Sequence, residues 1–250
     1  MNLLLRYTSF IVSLGLGHAS LACENCSTPV PEDPALSIES ASVTRLLDLD
    51  LLVFEVNLKG AAGSVTPEPK GMLDGAPVLG YVFPTTLEPE AVGFGEVEGI
   101  LALAATSHPD FDDTPLWDED SDGDYGNDGV IWHTHWVVLA EDSRIEALAV
   151  KQFEKGDDSV VLPPTNPGMP MYMDSPGYAV MTKDNRLRIV VPEYRIRSDE
   201  SFRFDAVTAF MRVNTSDPDR PMLGVYKVYS VASGDLSLPY EVANDTRGLN

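Results

Sequence analysis

His108, His133 and His135 are the residues of this 250-residue chain whose type and spacing most directly admit chemistry. In Val130-Ile131-Trp132-His133-Thr134-His135-Trp136-Val137-Val138-Leu139, a period of two puts Ile131, His133, His135, Val137 and Leu139 on one face of a strand. Imidazoles at i and i+2 then point the same way about 7 Å apart, which suits two ligands of one tetrahedral or trigonal metal. His108 ends the preceding β pattern, within Ser107-His108-Pro109-Asp110-Phe111-Asp112-Asp113. If those two strands pair, all three histidines converge, with Asp110, Asp112 or Asp113 as a fourth ligand or as a partner that orients a ring.

Imidazole alone suits zinc, copper, nickel and iron. Met169, Met171 and Met173 recur at every second position, so in an extended chain their soft thioethers share a face, and this tilts the expected metal toward copper. The same spacing also describes a hydrophobic patch under a loop.

A second cation is expected nearby. Asp118-Glu119-Asp120-Ser121-Asp122-Gly123-Asp124 sets carboxylates at alternating positions with a glycine at the sharp turn, the first half of a calcium loop. Asn127 and Asp128 can add oxygens. An EF-hand would need Glu at the twelfth loop position, and Gly129 stands there. The expected ligands are therefore Asp118, Asp120, Asp122, Asp124, Asn127 and Asp128, completed by backbone or a neighbouring loop.

Charge points to the same region. The chain carries a formal net charge of −22, yet positions 71 to 143 contain sixteen acids and no Lys or Arg. So acidic a chain has no long-range attraction for nucleic acid or anionic membranes, which excludes those partners. Acids without cationic side chains repel one another unless something else supplies positive charge, and metal ions are the expected partners.

Residues 1–22 read as a signal peptide: Arg6 is the only charge, Phe10 to Leu16 is a short apolar core, and Ser20-Leu21-Ala22 offers a cleavage site. Export to the periplasm, the cell surface or the extracellular space is expected, with no transmembrane segment. Residues 23–36 read as a flexible leader. Its Cys23 and Cys26 are expected to form a disulfide in an oxidising compartment. The other reading is a lipid-modified Cys23, although Ser20 departs from the leucine of lipoprotein signals.

The elements that must position these groups are strands. From Ser37 onward about ten short apolar runs alternate with connections rich in Gly, Pro, Asn and Asp. They predict one all-β domain over 37–250, an antiparallel β-sandwich with long loops and little helix. Asp205 to Val213 is the segment expected to be helical if any is.

Three functions fit. The first is an exported protein that sequesters or handles one transition-metal ion, copper before zinc, beside a structural calcium loop. A metal-dependent hydrolase or lyase would use the same histidines around a metal-bound water. The third is a calcium-dependent binding or adhesion module. No nucleophile elbow, phosphate-cradling loop or dinucleotide fingerprint is present.

Overall fold

The computed structural model describes residues 26–114, 118, 129–197 and 201–245. These residues form fourteen strands and three short 3-10 turns, with no α-helix among them. The strands are β1 (Ile38–Leu46), β2 (Leu51–Leu58), β3 (Pro77–Pro84), β4 (Ile100–Ser107), β5 (His133–Asp142), β6 (Ala147–Val150) and β7 (Met173–Asp174), then β8 (Ala179–Lys183), β9 (Arg186–Pro192), β10 (Arg203–Phe204), β11 (Val207–Val213), β12 (Leu223–Val231), β13 (Tyr240–Glu241) and β14 (Ala243–Asp245).

The all-β expectation holds, but the layering differs from a sandwich. Strands β4, β3, β11, β12, β6 and β5 pair in that order, and β5 pairs back onto β4, closing a six-stranded barrel. Two register shifts in the β11–β12 pairing leave Tyr226 and Tyr229 as extra residues on β12. Bulges of this kind bend a strand and raise its twist, which is what closure of so few strands needs. Alternation of apolar residues cannot distinguish a flat sheet from a closed one, so the sequence pattern was compatible with either.

A second sheet, ordered β14-β1-β2-β9-β8, covers one side of the barrel, and its β14 edge runs parallel to β1. Strands β2 and β9 alternate buried and half-buried residues, so one face of this sheet meets the barrel and the other meets water. Between them lies a core that includes Phe54 and Ile189 from the sheet, with Tyr81, Leu103, Trp136 and Phe210 from the barrel. Within it Phe54 packs edge-on to Phe83 at 5.4 Å and to Trp136 at 6.4 Å. A separate core fills the barrel itself and includes Val78, Ala104, Val137, Met173 and Met211.

Asp205 to Val213, the segment conceded to a helix, is mostly β11. It lies between β3 and β12 with full ladders on both sides, and its residues are buried on both faces. Long-range pairing outweighs its weak local preference. Residues 26–36, read as a leader, are held against the fold: Ala35 and Leu36 are buried, and Arg212 donates to the Ser27 carbonyl at 3.1 Å. Cys23 lies outside the described residues. No helix among the described residues is long and apolar enough to cross a membrane.

Tyr81 ties this N-terminal segment to the barrel. Its hydroxyl donates to the Ala35 carbonyl at 2.9 Å and accepts from the Gly63 N–H at 3.1 Å. Burial, with a smaller push from Asp33, raises the phenol from 10.0 to about 12, against the opposing Gly63 hydrogen bond. Between those values an unfolded chain has lost the proton while the folded one keeps it, so stability falls as pH rises. Tyr81→Phe should flatten that alkaline loss while costing about 1–3 kcal/mol at neutral pH, measured by denaturant unfolding across pH.

Candidate metal centre

The β4–β5 ladder fixes which side chains enter the barrel. Thr106 pairs with His133 and Ala104 with His135, antiparallel, so these four positions share the inward face. His108 follows Thr106 by two residues and lies at the same end of the barrel. Asp113 enters from the connection that leaves β4.

That connection is built to return to its own start. The His108 N–H donates to the Gly129 carbonyl at 2.6 Å, and the Ser107 hydroxyl donates to the Val130 carbonyl at 2.7 Å. Gly129 has φ +99°, and a Cβ there would lie 2.5 Å from the carbonyl oxygens of His108 and Phe111. Only glycine meets both conditions.

Four side chains converge: His108, His133, His135 and Asp113, exposed by only 1%, 8%, 2% and 5%. One donor atom from each lies within 4.8 Å of all the others. Each imidazole is oriented from behind. His108 Nδ1 lies 2.9 Å from the Phe111 carbonyl, and His133 Nδ1 lies 2.7 Å from the Ile131 carbonyl. A carbonyl only accepts, so both Nδ1 atoms carry the proton. His135 Nδ1 lies 3.1 Å from the Ser175 hydroxyl, which itself donates to the Asp113 carbonyl at 2.6 Å. The hydroxyl proton being used, Ser175 accepts from His135. All three Nε2 atoms are left with lone pairs that face inward.

Those lone pairs crowd a carboxylate. His108 and His133 Nε2 are 2.8 Å apart, and Asp113 Oδ1 stands 3.2, 3.2 and 3.4 Å from the Nε2 atoms of His108, His133 and His135. Tetrahedral ligands about 2.0–2.1 Å from a metal lie about 3.3 Å from each other, close to the three carboxylate distances. Among the described residues, Asp113 Oδ1 and His135 Nε2 are buried with no hydrogen-bond partner. The Thr106 hydroxyl reaches His133 Nε2 at 3.3 Å, yet so close a group of acceptors is repulsive until a cation occupies the common point.

The electrostatics agree. Burial pushes the Asp113 carboxyl up, and only protonated imidazoles, His135 and His108 by charge and His108 and His133 by hydrogen bonding, would draw it well below the ordinary carboxylate range. Burial also lowers His135 to about 3, outweighing the attraction of Asp113, so this ring is a poor source of the charge that Asp113 requires. A metal ion supplies it without a proton. The buried group can thus hold a metal ion.

The other expected ligands fall elsewhere. Asp110 accepts the backbone N–H of Lys70 at 2.7 Å and also that of Gly71, and Asp112 accepts the Thr114 N–H at 2.7 Å. Both carboxylates are used outside the cluster, Asp110 by the backbone of a segment forty residues earlier and Asp112 in a local turn. Met171 and Met173 are buried inside the barrel with Met169 packed against them, among apolar neighbours. Of the calcium-loop residues only Asp118 is described; Asp120, Asp122, Asp124, Asn127 and Asp128 lie outside the described residues.

Ser175 was not legible in the sequence. It reaches His135 because β7 pairs with β5, Trp136 opposite Asp174 and Val137 opposite Met173, which brings the next residue level with His135. Phe111 contributes twice, through its carbonyl and by stacking its ring on His108 at 4.0 Å. Ser175→Ala leaves all four donors in place but frees the His135 tautomer. It should weaken metal affinity about 10- to 100-fold, measured by competition with a chromophoric chelator.

No family model, no curated protein and no solved structure matches this chain, so the geometry of the centre is what speaks to its function.

Proposed function

We propose that the chain is an exported metal-binding protein that holds one transition-metal ion, copper before zinc, on His108, His133, His135 and Asp113, and that it sequesters or hands on that ion. The observation that carries this is the fixing of all three Nδ1 protons, which turns three Nε2 lone pairs and one carboxylate toward a common buried point.

Asp113 decides between holding a metal and using it. Closed sites with four protein donors hold metals, whereas catalytic zinc keeps one position for water. With Asp113 as fourth donor the set is complete, which favours binding over the hydrolase or lyase reading. Copper is preferred on two grounds. Met169, Met171 and Met173 line the cavity beside the centre and offer soft surroundings. A monovalent ion with three neutral imidazoles and one carboxylate also leaves no net charge in an apolar interior.

Calcium would bind the acidic loop over residues 118–128 in a structural role. The described residues that flank it, Thr114 and Gly129, sit beside Asp113 and His108, so ordering that loop would steady two of the four donors. Export rests on the N-terminal segment and on the cysteine pair, Cys23 and Cys26, as a disulfide.

Elemental analysis of protein from its native compartment should find about one equivalent of copper or zinc. The His133→Ala, His135→Ala double variant should lose that metal and keep any calcium. Recovery of calcium alone from both proteins would sink the transition-metal reading and leave the calcium-dependent module. Chelation should also lower the melting temperature of the wild type far more than that of the double variant, because a ligand bound only to the folded state stabilises it.

A further inference from the structure

The inward positions of the barrel become small midway along its axis. β3 supplies Gly80 between Val78 and Val82, β4 supplies Ala102 and Ala104, and β11 supplies Ala209. Eight strands enclose little more than their own side chains can fill, and six enclose less. These small residues nevertheless leave a cavity of about 70 Å³. One water molecule needs about 10–15 Å³ of such space, so there is room for a molecule of a few heavy atoms.

The two ends of this cavity differ. At one end its walls are His108, Asp113 and His135, with Phe111 beside them. At the other are Val207, Val228 and Leu236, and Val228 is 45% exposed. Between them, among the described residues, Thr106 is the one polar side chain in the wall, and its hydroxyl lies 3.3 Å from His133 Nε2. Elsewhere the walls are Val, Leu, Ala, Pro and Met, which give water none of the partners that hold it in a protein interior.

The open end is also built. Leu236 has φ +59°, a conformation that favours glycine, and is held there because its N–H donates to Ser233 Oγ at 3.0 Å. Ser233 is anchored in turn: its hydroxyl donates to the carboxylate of Asp205, and its N–H donates to the same group at 3.1 Å. Asp205 is fully buried. A buried carboxylate therefore fixes the turn that brings Leu236 into the cavity wall.

We propose that this chamber binds a small, uncharged, apolar molecule of a few heavy atoms and holds it beside the metal centre. A polar or charged ligand would lose its hydration and find no partner along the walls. A larger one would have to displace Met211 or Leu139. The chamber rests on the metal reading only for what its ligand meets at the inner end; its own existence does not require the metal.

Xenon is the probe, applied to the full chain both metal-free and metal-loaded. Crystals under xenon pressure should show one site among Ala104, Val137, Leu139 and Ala209, and in solution xenon should shift the resonances of those residues. Ala209→Leu fills the space and should weaken xenon binding by about tenfold or more. Leu139→Ala enlarges it and should strengthen binding, which keeps the test decisive should the filled variant not fold. Absence of xenon from the wild type, equal binding by Ala209→Leu, or equal occupancy by acetamide would overturn the proposal. Xenon bound by a protein that takes no metal would instead overturn the metal reading alone.

Discussion

The pairing of β4 with β5 closes the barrel, and its register determines what that barrel contains. Along β5, His133, His135, Val137 and Leu139 enter the interior, while Thr134, Trp136 and Val138 face the second sheet. Both faces are buried, so neither set tolerates exchange with the other. A slip of one residue would drive Trp136 into the barrel and turn the imidazoles toward Phe54. Trp136 is therefore as much a determinant of the centre as any ligand. Its ring packs edge-on to Phe54, and its Nε1–H donates to the Tyr178 hydroxyl at 3.3 Å.

Within that register, the acceptors behind the rings do the finer work. A histidine whose two nitrogens were both free would choose its tautomer by solvation, and in a buried cluster the cheapest arrangement is one ring donating to the next. Here the carbonyls of Phe111 and Ile131 and the hydroxyl of Ser175 remove that choice. Ser175 has a further effect, because it joins His135 to the backbone of Asp113 and so couples two donors that come from distant parts of the chain. Buried polar groups are tolerated when every proton has an acceptor. In this cluster it is acceptors that are in surplus, which is the signature of a place for a cation.

How much of this the sequence shows depends on the range of the interaction. The inward face of β5 follows from a period of two and was legible residue by residue, except Ile131, which precedes the strand and is 52% exposed. That His108 meets this face needed only the assumption that neighbouring strands pair. Barrel closure was not legible, because it depends on bulges in β12 and on the β5–β4 return, neither of which leaves a mark in apolar alternation. Ser175 lies 40 residues from His135 and enters by a two-residue strand, too short for any periodic signal. The choice among Asp110, Asp112 and Asp113 was equally hidden, since three acids in four positions differ only in which backbone donors lie nearby.

That choice also shows what net charge can and cannot say. The dense acids between positions 71 and 143 suggested bound cations, yet several have found neutral or local partners. Asp74 accepts from Thr215 and Ser216, with the Ser216 hydroxyl foremost in holding its carboxyl low. Asp110 accepts from Lys70 and Gly71, and Asp142 pairs with Arg144 just beyond the stretch. Backbone N–H groups satisfy a carboxylate without adding charge to the count, so a tally of acidic and basic side chains overstates the demand for metal. Asp113 differs because its Oδ1 is enclosed with three imidazole nitrogens and, with those rings neutral and protonated on Nδ1, has no hydrogen-bond donor among the described residues. The case for a cation thus rests on this one cluster of acceptors and not on the net charge of the rest of the chain.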